Sequence, residues 1–175
     1  MNELNIIPVT PNEVHRLQQI SRQTFSETFS ASNSDSNMNQ FLEEAYATGK
    51  LLSELNNPNS RFYFAMHGNR ELGYLKLNFG AAQTELKDGQ AVEIERIYVL
   101  HEFLGKKVGQ ALYEHAVQQA RQANARYIWL GVWEENPRAI SFYKKNGFVE
   151  FDKHIFRLGT EEQTDIMMKL ELHAG

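Results

Sequence analysis

"IERIYVLHEFLGKKVGQALYEHA", Ile94 to Ala116, decides how the chain is read. It opens with the alternation of a strand and carries two glycines and two lysines in its middle. From Val108 its apolar positions recur at helical spacing. A strand that runs through a glycine-containing loop into a helix leaves backbone N–H groups unpaired at the positive end of a helix dipole, which favours a phosphate. Gly105 and Gly109 let the backbone come close, and Lys106 and Lys107 add charge. Glycine-lysine loops before helices are common, so the loop alone also fits a plain turn. Without a closing Gly-Lys-Ser/Thr it is not a P-loop.

Upstream of this stretch, residues 4–10 read as a strand, and Pro11 stands where a first helical turn tolerates proline. Val14, Leu17, Ile20 and Phe25 then recur near helical spacing. The polar run "SASNSDSN" separates that helix from a second candidate over 38–55, which "NNPNS" ends. The aromatic segments 61–68 and 71–80, joined through Asn69 and Arg70, read as a hairpin, and a polar loop leads to the strand 91–100. Downstream, Ala111, Leu112, Ala116 and Ala120 place a helix from about Lys107 to Asn124. "YIWLGVW", Tyr127 to Trp133, is apolar enough for a central strand covered on both faces, with Trp129 and Trp133 turned to one side. A helix within 136–147 and strands over 148–158 and 164–172 complete the order β-α-α-β-β-β-α-β-α-β-β. This is an α/β fold, a mixed sheet with helices on both faces, expected to form one domain over 1–175 without repeat or linker.

Composition narrows the chemistry. The 175 residues are 42% hydrophobic and 23% charged, ordinary globular usage that argues against disorder. The absence of cysteine removes disulfides, thiolate metal sites and a thiol nucleophile. The six histidines are scattered without metal-ligand spacing, so no metal is expected. No leader and no apolar run long enough for a bilayer are seen, which predicts a cytoplasmic protein without membrane association. The net charge of −4 argues against direct nucleic-acid binding.

A second stretch, "WLGVWEENPRAISFYKKNGF", Trp129 to Phe148, sharpens the reading of the loop. In order and spacing the two stretches resemble the GNAT superfamily of acyl-CoA-dependent N-acetyltransferases. Asn136, Ala139, Phe142, Tyr143, Gly147 and Phe148 match that family's second pattern in full. The loop departs from the first pattern: Leu104 stands where the family usually has Gln or Arg, and Lys107 where it has a glycine. "QTFSETFS", "VEIERIYV" and "EEQTDIMMK" extend the likeness over nearly the whole chain to the bacterial PaiA family, whose activity is N-acetylation of spermidine and spermine. The resemblance implies the GNAT fold, with a mostly antiparallel central sheet of six to seven strands flanked by about four helices. It also implies acetyl-CoA as co-substrate and a polyamine as acceptor.

It further implies roles, residue by residue. Backbone groups of Ile97, Tyr98 and Val99 would pair with the pantetheine arm. The amides of Leu104, Gly105, Lys106, Lys107, Val108 and Gly109, with Gln110 and Ala111 opening the helix, would hold the pyrophosphate. Asn136 would bond the cofactor arm, or act only as the N-cap of its helix, and Lys145 would meet a phosphate. Tyr143 would protonate the departing thiolate. Glu93 and Glu95 lie on one side of their strand, and both positions host the proposed base in different members, so the choice between them stays open. Glu27, Asp35, Glu43, Glu44 and Glu54 fit either a polyamine groove or a solvated helix face. Two other readings compete: a CoA-sensing regulator of transcription, and an acetyltransferase for a protein N-terminus, a lysine or an aminoglycoside. The sequence leaves monomer or homodimer open.

Overall fold

The computed structural model describes residues 3–172. Seven strands form one sheet: β1 (Leu4–Pro8), β2 (Ser60–His67), β3 (Arg70–Phe79), β4 (Ala91–Val99), β5 (Tyr127–Trp133), β6 (Val149–Leu158) and β7 (Glu161–Glu171). Their order is β1-β2-β3-β4-β5-β7-β6, antiparallel throughout except between β4 and β5. The five helices are α1 (Val14–Phe29), α2 (Asp35–Ala45), α3 (Thr48–Leu55), α4 (Val108–Gln122) and α5 (Pro137–Lys145).

The helices divide between the two faces as their apolar stripes require. Leu112, Ala116 and Ala120 of α4, all 0% exposed, pack on Leu75, Leu77, Ile94, Ile128 and Leu130, with Tyr143 of α5 joining them. On the opposite face Leu17, Ile20 and Phe25 of α1, Met38 of α2 and Leu51 of α3 pack on Phe62, Phe64, Tyr74 and Trp133. A fully buried leucine such as Leu112 contributes several kcal/mol through transfer and packing, on the order of 2–5 kcal/mol by truncation to alanine.

The helix expected over 38–55 is two helices, which raises the expected four to five. It starts earlier than expected, at Asp35, because Ser34 Oγ accepts from Asn37 N at 3.1 Å. It then breaks at Tyr46 and Ala47, where Ala47 is extended (φ −61°, ψ 142°). The break lets Tyr46, 2% exposed, turn inward against Phe25 and Phe41, and Gln18 Nε2 donates to the Tyr46 carbonyl at 2.8 Å. The other elements lie within a few residues of their expected positions.

Candidate active site

The fold makes its opening where β4 and β5 part. Their parallel ladder runs from Ala91–Tyr127 to Ile94–Leu130 and stops. Beyond it the edge of β4 that faces β5 carries no ladder partner, although β3 still pairs with the other edge as far as Val99. Into this gap opens a cleft of about 910 Å³, lined by Ile94, Glu95, Ile97, Tyr98 and Val99 of β4, the loop after it, Leu130 to Trp133 of β5, and α5. That volume suits a cofactor-sized ligand.

The cleft reaches the start of α4, where amides and cations come together. The first intrahelical bond of α4 runs from Ala111 N to Lys107 O at 3.1 Å, so the N–H groups of Val108, Gly109 and Gln110 lie ahead of it. Lys107 holds a left-handed backbone (φ 66°) to bring the chain into α4, and Gly105 does the same at φ 78°. A β-carbon at Gly105 would lie 3.6 Å from Arg138 Nη2, so the Arg138 guanidinium stands over the loop. Lys107, Arg138 and Lys145 all line the cleft.

The cleft also has acidic and aromatic walls. Glu27, Phe29, Glu95, Tyr98, Trp133 and Glu135 belong to its lining. Glu27 is tied down, its Oε1 accepting from the His101 amide at 3.0 Å. Glu95 is the extra residue of a β-bulge, since Arg96 pairs with Lys76 and Ile94 with Leu77. Its carboxylate meets Lys76 Nζ at 2.7 Å, Arg96 Nη2 at 3.0 Å and Asn78 Nδ2 at 2.7 Å. Glu54 of α3 completes the network, 2.7 Å from Lys76 and 3.1 Å from Arg96. Burial pushes the Glu95 carboxyl up, but Arg96 and Lys76 with their hydrogen bonds outweigh it and hold it down at about 2.

Glu93 shares the Asn78 amide, at 3.0 Å, but is enclosed. Thr84 covers it, donating from its backbone N at 2.8 Å and from Oγ1 at 2.5 Å. Burial raises the Glu93 carboxyl and these hydrogen bonds only partly offset it. Tyr143, buried at 7% exposure, lines the cleft from α5, and burial raises its phenol so that it stays protonated. Asn136 accepts from Ala139 N at 3.2 Å as the N-cap of α5 while also lining the cleft.

The sequence profile of the Acetyltransferase (GNAT) family matches residues 14–148. The chain belongs to this family. An uncharacterized N-acetyltransferase of Lactobacillus delbrueckii subsp. lactis is 38% identical over 172 residues, 98% of this chain and 99% of that one. The spermidine N(1)-acetyltransferase of Thermoplasma acidophilum is 25% identical over 149 residues, covering 83% and 88% of the two chains. The crystal structure of the PaiA N-acetyltransferase of Thermoplasma acidophilum in complex with coenzyme A superposes with a TM-score of 0.80, at 22% identity over 97% of this chain and 99% of that one. The seven-stranded GNAT sheet with helices on both faces is therefore the fold of this chain.

Within this GNAT cleft the structure gathers most of the residues singled out from sequence. Glu95, Ile97, Tyr98, Val99, Leu104, Gly105, Lys107, Gly109, Gln110, Asn136, Tyr143 and Lys145 all line it. Glu93, Lys106, Val108 and Ala111 do not: Val108 is core, and Lys106 projects over the Phe103 ring. Of the five carboxylates between 26 and 57 only Glu27 reaches the cleft, and Glu54 is spent on Lys76 and Arg96. Arg138 and Gly131 were not anticipated, and nor was Trp133 as a cleft wall. The signal for Arg138 was its place in the first turn of α5, a cation in "NPRAISFYKK" two helical turns before Lys145 and so on the same helix face. Among the described residues no group of three or more His, Asp or Glu side chains is arranged to hold a metal, and no helix is long and apolar enough to cross a membrane.

Proposed function

We propose that this GNAT N-acetyltransferase takes the acetyl group of acetyl-CoA to a primary amine of a polyamine such as spermidine, by direct attack of the amine on the thioester. The observation that carries the reading is the gap past Ile94–Leu130, where a free strand edge, a helix N-terminus and the Tyr143 phenol meet in one cleft. Acetyl-CoA supplies the activated acyl group. The residues present fit it: the amides opening α4, Lys107, Arg138 and Lys145 offer donors and charge to its phosphates. The unpaired edge of β4 at Ile97–Val99 offers backbone groups to an amide-bearing arm, and an N–H there polarises a carbonyl laid against it. Tyr143 keeps its proton at neutral pH and donates it where a thiolate leaves.

A cationic acceptor is supported by the carboxylates Glu27 and Glu135 in the cleft lining, and by the likeness to a spermidine N(1)-acetyltransferase. The test is thiol release from acetyl-CoA across spermidine, spermine, putrescine, lysine and an aminoglycoside, repeated with Tyr143→Phe. Saturable turnover with the polyamines, falling by roughly 10²-fold or more in the variant, is expected. Turnover confined to lysine or the aminoglycoside, or full activity in Tyr143→Phe, contradicts the substrate or the acid respectively.

A further inference from the structure

Neither glutamate of β4 is well placed to take a proton from an ammonium. Glu93 is enclosed by Thr84 and Asn78, and Glu95 is neutralised by two cations. A third carboxylate, that of Asp165, stands outside the cleft lining but directly beside Gly131, which belongs to it. Gly131 is the first residue of β5 past the end of its ladder with β4 and it lines the cleft. On β7, Met167 pairs with Gly131 and Asp165 with Trp133, so Asp165 shares the face of Trp129, Gly131 and Trp133. Its side chain leans across the space that a side chain at 131 would take: a β-carbon there would sit 3.4 Å from Asp165 Oδ2 and 3.9 Å from Cγ.

Asp165 is partly exposed, and its carboxylate makes no hydrogen bond or ion pair among the described residues. The titratable groups facing it are few. His154 pairs with it across the β6–β7 ladder and is itself bound to Glu85 at 2.9 Å, while Tyr98 faces it from β4 and β5 offers only Gly131 and Trp133. Burial, then Tyr74 and then the Asp165 charge, raise the Tyr98 phenol, which places the two groups within electrostatic reach.

We infer that Asp165 receives the ammonium group of the acceptor beside Gly131 and takes its proton before attack, an inference that rests on reading the cleft as an amine acetyltransferase site. The step converts the ammonium and the carboxylate into a free amine and a carboxylic acid. The amine then attacks the thioester; as the C–S bond breaks the thiolate takes the Tyr143 proton, the surplus proton on the acylated nitrogen restores Tyr143, and the Asp165 proton is returned to solvent. Burial pushes the Asp165 carboxyl up to about 6, with His154 opposing. From an amine near about 10, transfer to such a group is uphill by roughly four powers of ten, against roughly eight to Glu95.

The test compares the full chain with Asp165→Asn, using spermidine and coenzyme A as probes. Spermidine binding to the coenzyme A complex is expected to weaken by about tenfold, with coenzyme A affinity unchanged. The wild-type kcat/KM is expected to fall away below a pH of about 6, and the variant to lose that limb together with roughly 10²-fold or more of its rate. Gly131→Ala, whose methyl screens the carboxylate from the cleft, is expected to raise KM for spermidine. Equal spermidine binding and an unchanged acid limb in Asp165→Asn overturn the inference. Spermidine binding that depends on Asp165, without thiol release from any amine, instead overturns the acetyl-transfer reading and leaves Asp165 as the ammonium site.

Discussion

Replacing Glu95 by glutamine removes one charge from a half-buried four-membered network and leaves every neighbour in place. Lys76 and Arg96 then face Glu54 alone, at 2.7 and 3.1 Å, and the net-neutral cluster becomes cationic. The Glu95 carboxyl is held at about 2 against an ordinary 4.5, a difference worth about 3 kcal/mol at roughly 1.4 kcal/mol per pKa unit. Breaking a buried ion pair costs about 3–5 kcal/mol in general, and Glu54 compensates in part, so a loss of about 2–3 kcal/mol is expected near pH 7. The sign of the pH dependence follows from the lowered pKa. The stabilisation is complete above the unfolded value of 4.5 and is lost as pH falls towards about 2. Urea unfolding of wild type and Glu95→Gln across pH 7 to pH 3 reads both quantities. A deficit under about 0.5 kcal/mol at neutral pH, or one that does not shrink on acidification, refutes the structural role given to this carboxylate.

Asp165→Asn is expected to move stability the other way. A raised carboxyl is destabilising when charged, so the variant gains about 1–3 kcal/mol above a pH of about 6, and the gain vanishes below about 4. Unfolding curves at two pH values check it, and a variant less stable than wild type at neutral pH contradicts it. Lys107→Gly relieves a left-handed backbone at a cost in chain entropy of similar size, so stability should change by under about 1 kcal/mol. Coenzyme A affinity should nonetheless fall by about tenfold and lose part of its salt dependence, by calorimetry at two ionic strengths. Leu112→Ala, emptying the centre of the α4 face, is expected to cost about 3 kcal/mol in the same unfolding assay without altering the pH profile of turnover.

The parts of this site that could be read from sequence are those built from local rules. Alternation marks β4 and the stripe of α4 marks its helix, while Asn136-Pro137 starts α5 as an N-cap followed by proline should. The left-handed turn at Lys107 was foreshadowed by a lysine standing where the family has glycine. What stayed hidden depends on distant segments. The break between α2 and α3 is satisfied by Gln18, 28 residues upstream of Tyr46. Strand periodicity puts Glu93 and Glu95 on one side, and both do reach Asn78, but Thr84 closes over the first and a bulge turns the second to Lys76 and Arg96. The approach of Asp165 to Gly131 exists only through the β5–β7 register. Its one trace in the sequence was a lone acid opening the apolar run "DIMM".

The central claim is that the acetyl group passes from the donor to an amine held in the same cleft. Incubating the purified chain with acetyl-CoA labelled in its acetyl group and with spermidine, then following the label, tests this most directly. The account predicts label on the polyamine in proportion to thiol released, with both falling by roughly 10²-fold or more when Tyr143→Phe replaces the wild type. Coenzyme A binding accompanied by no labelled amine, from spermidine or any other acceptor, would contradict it.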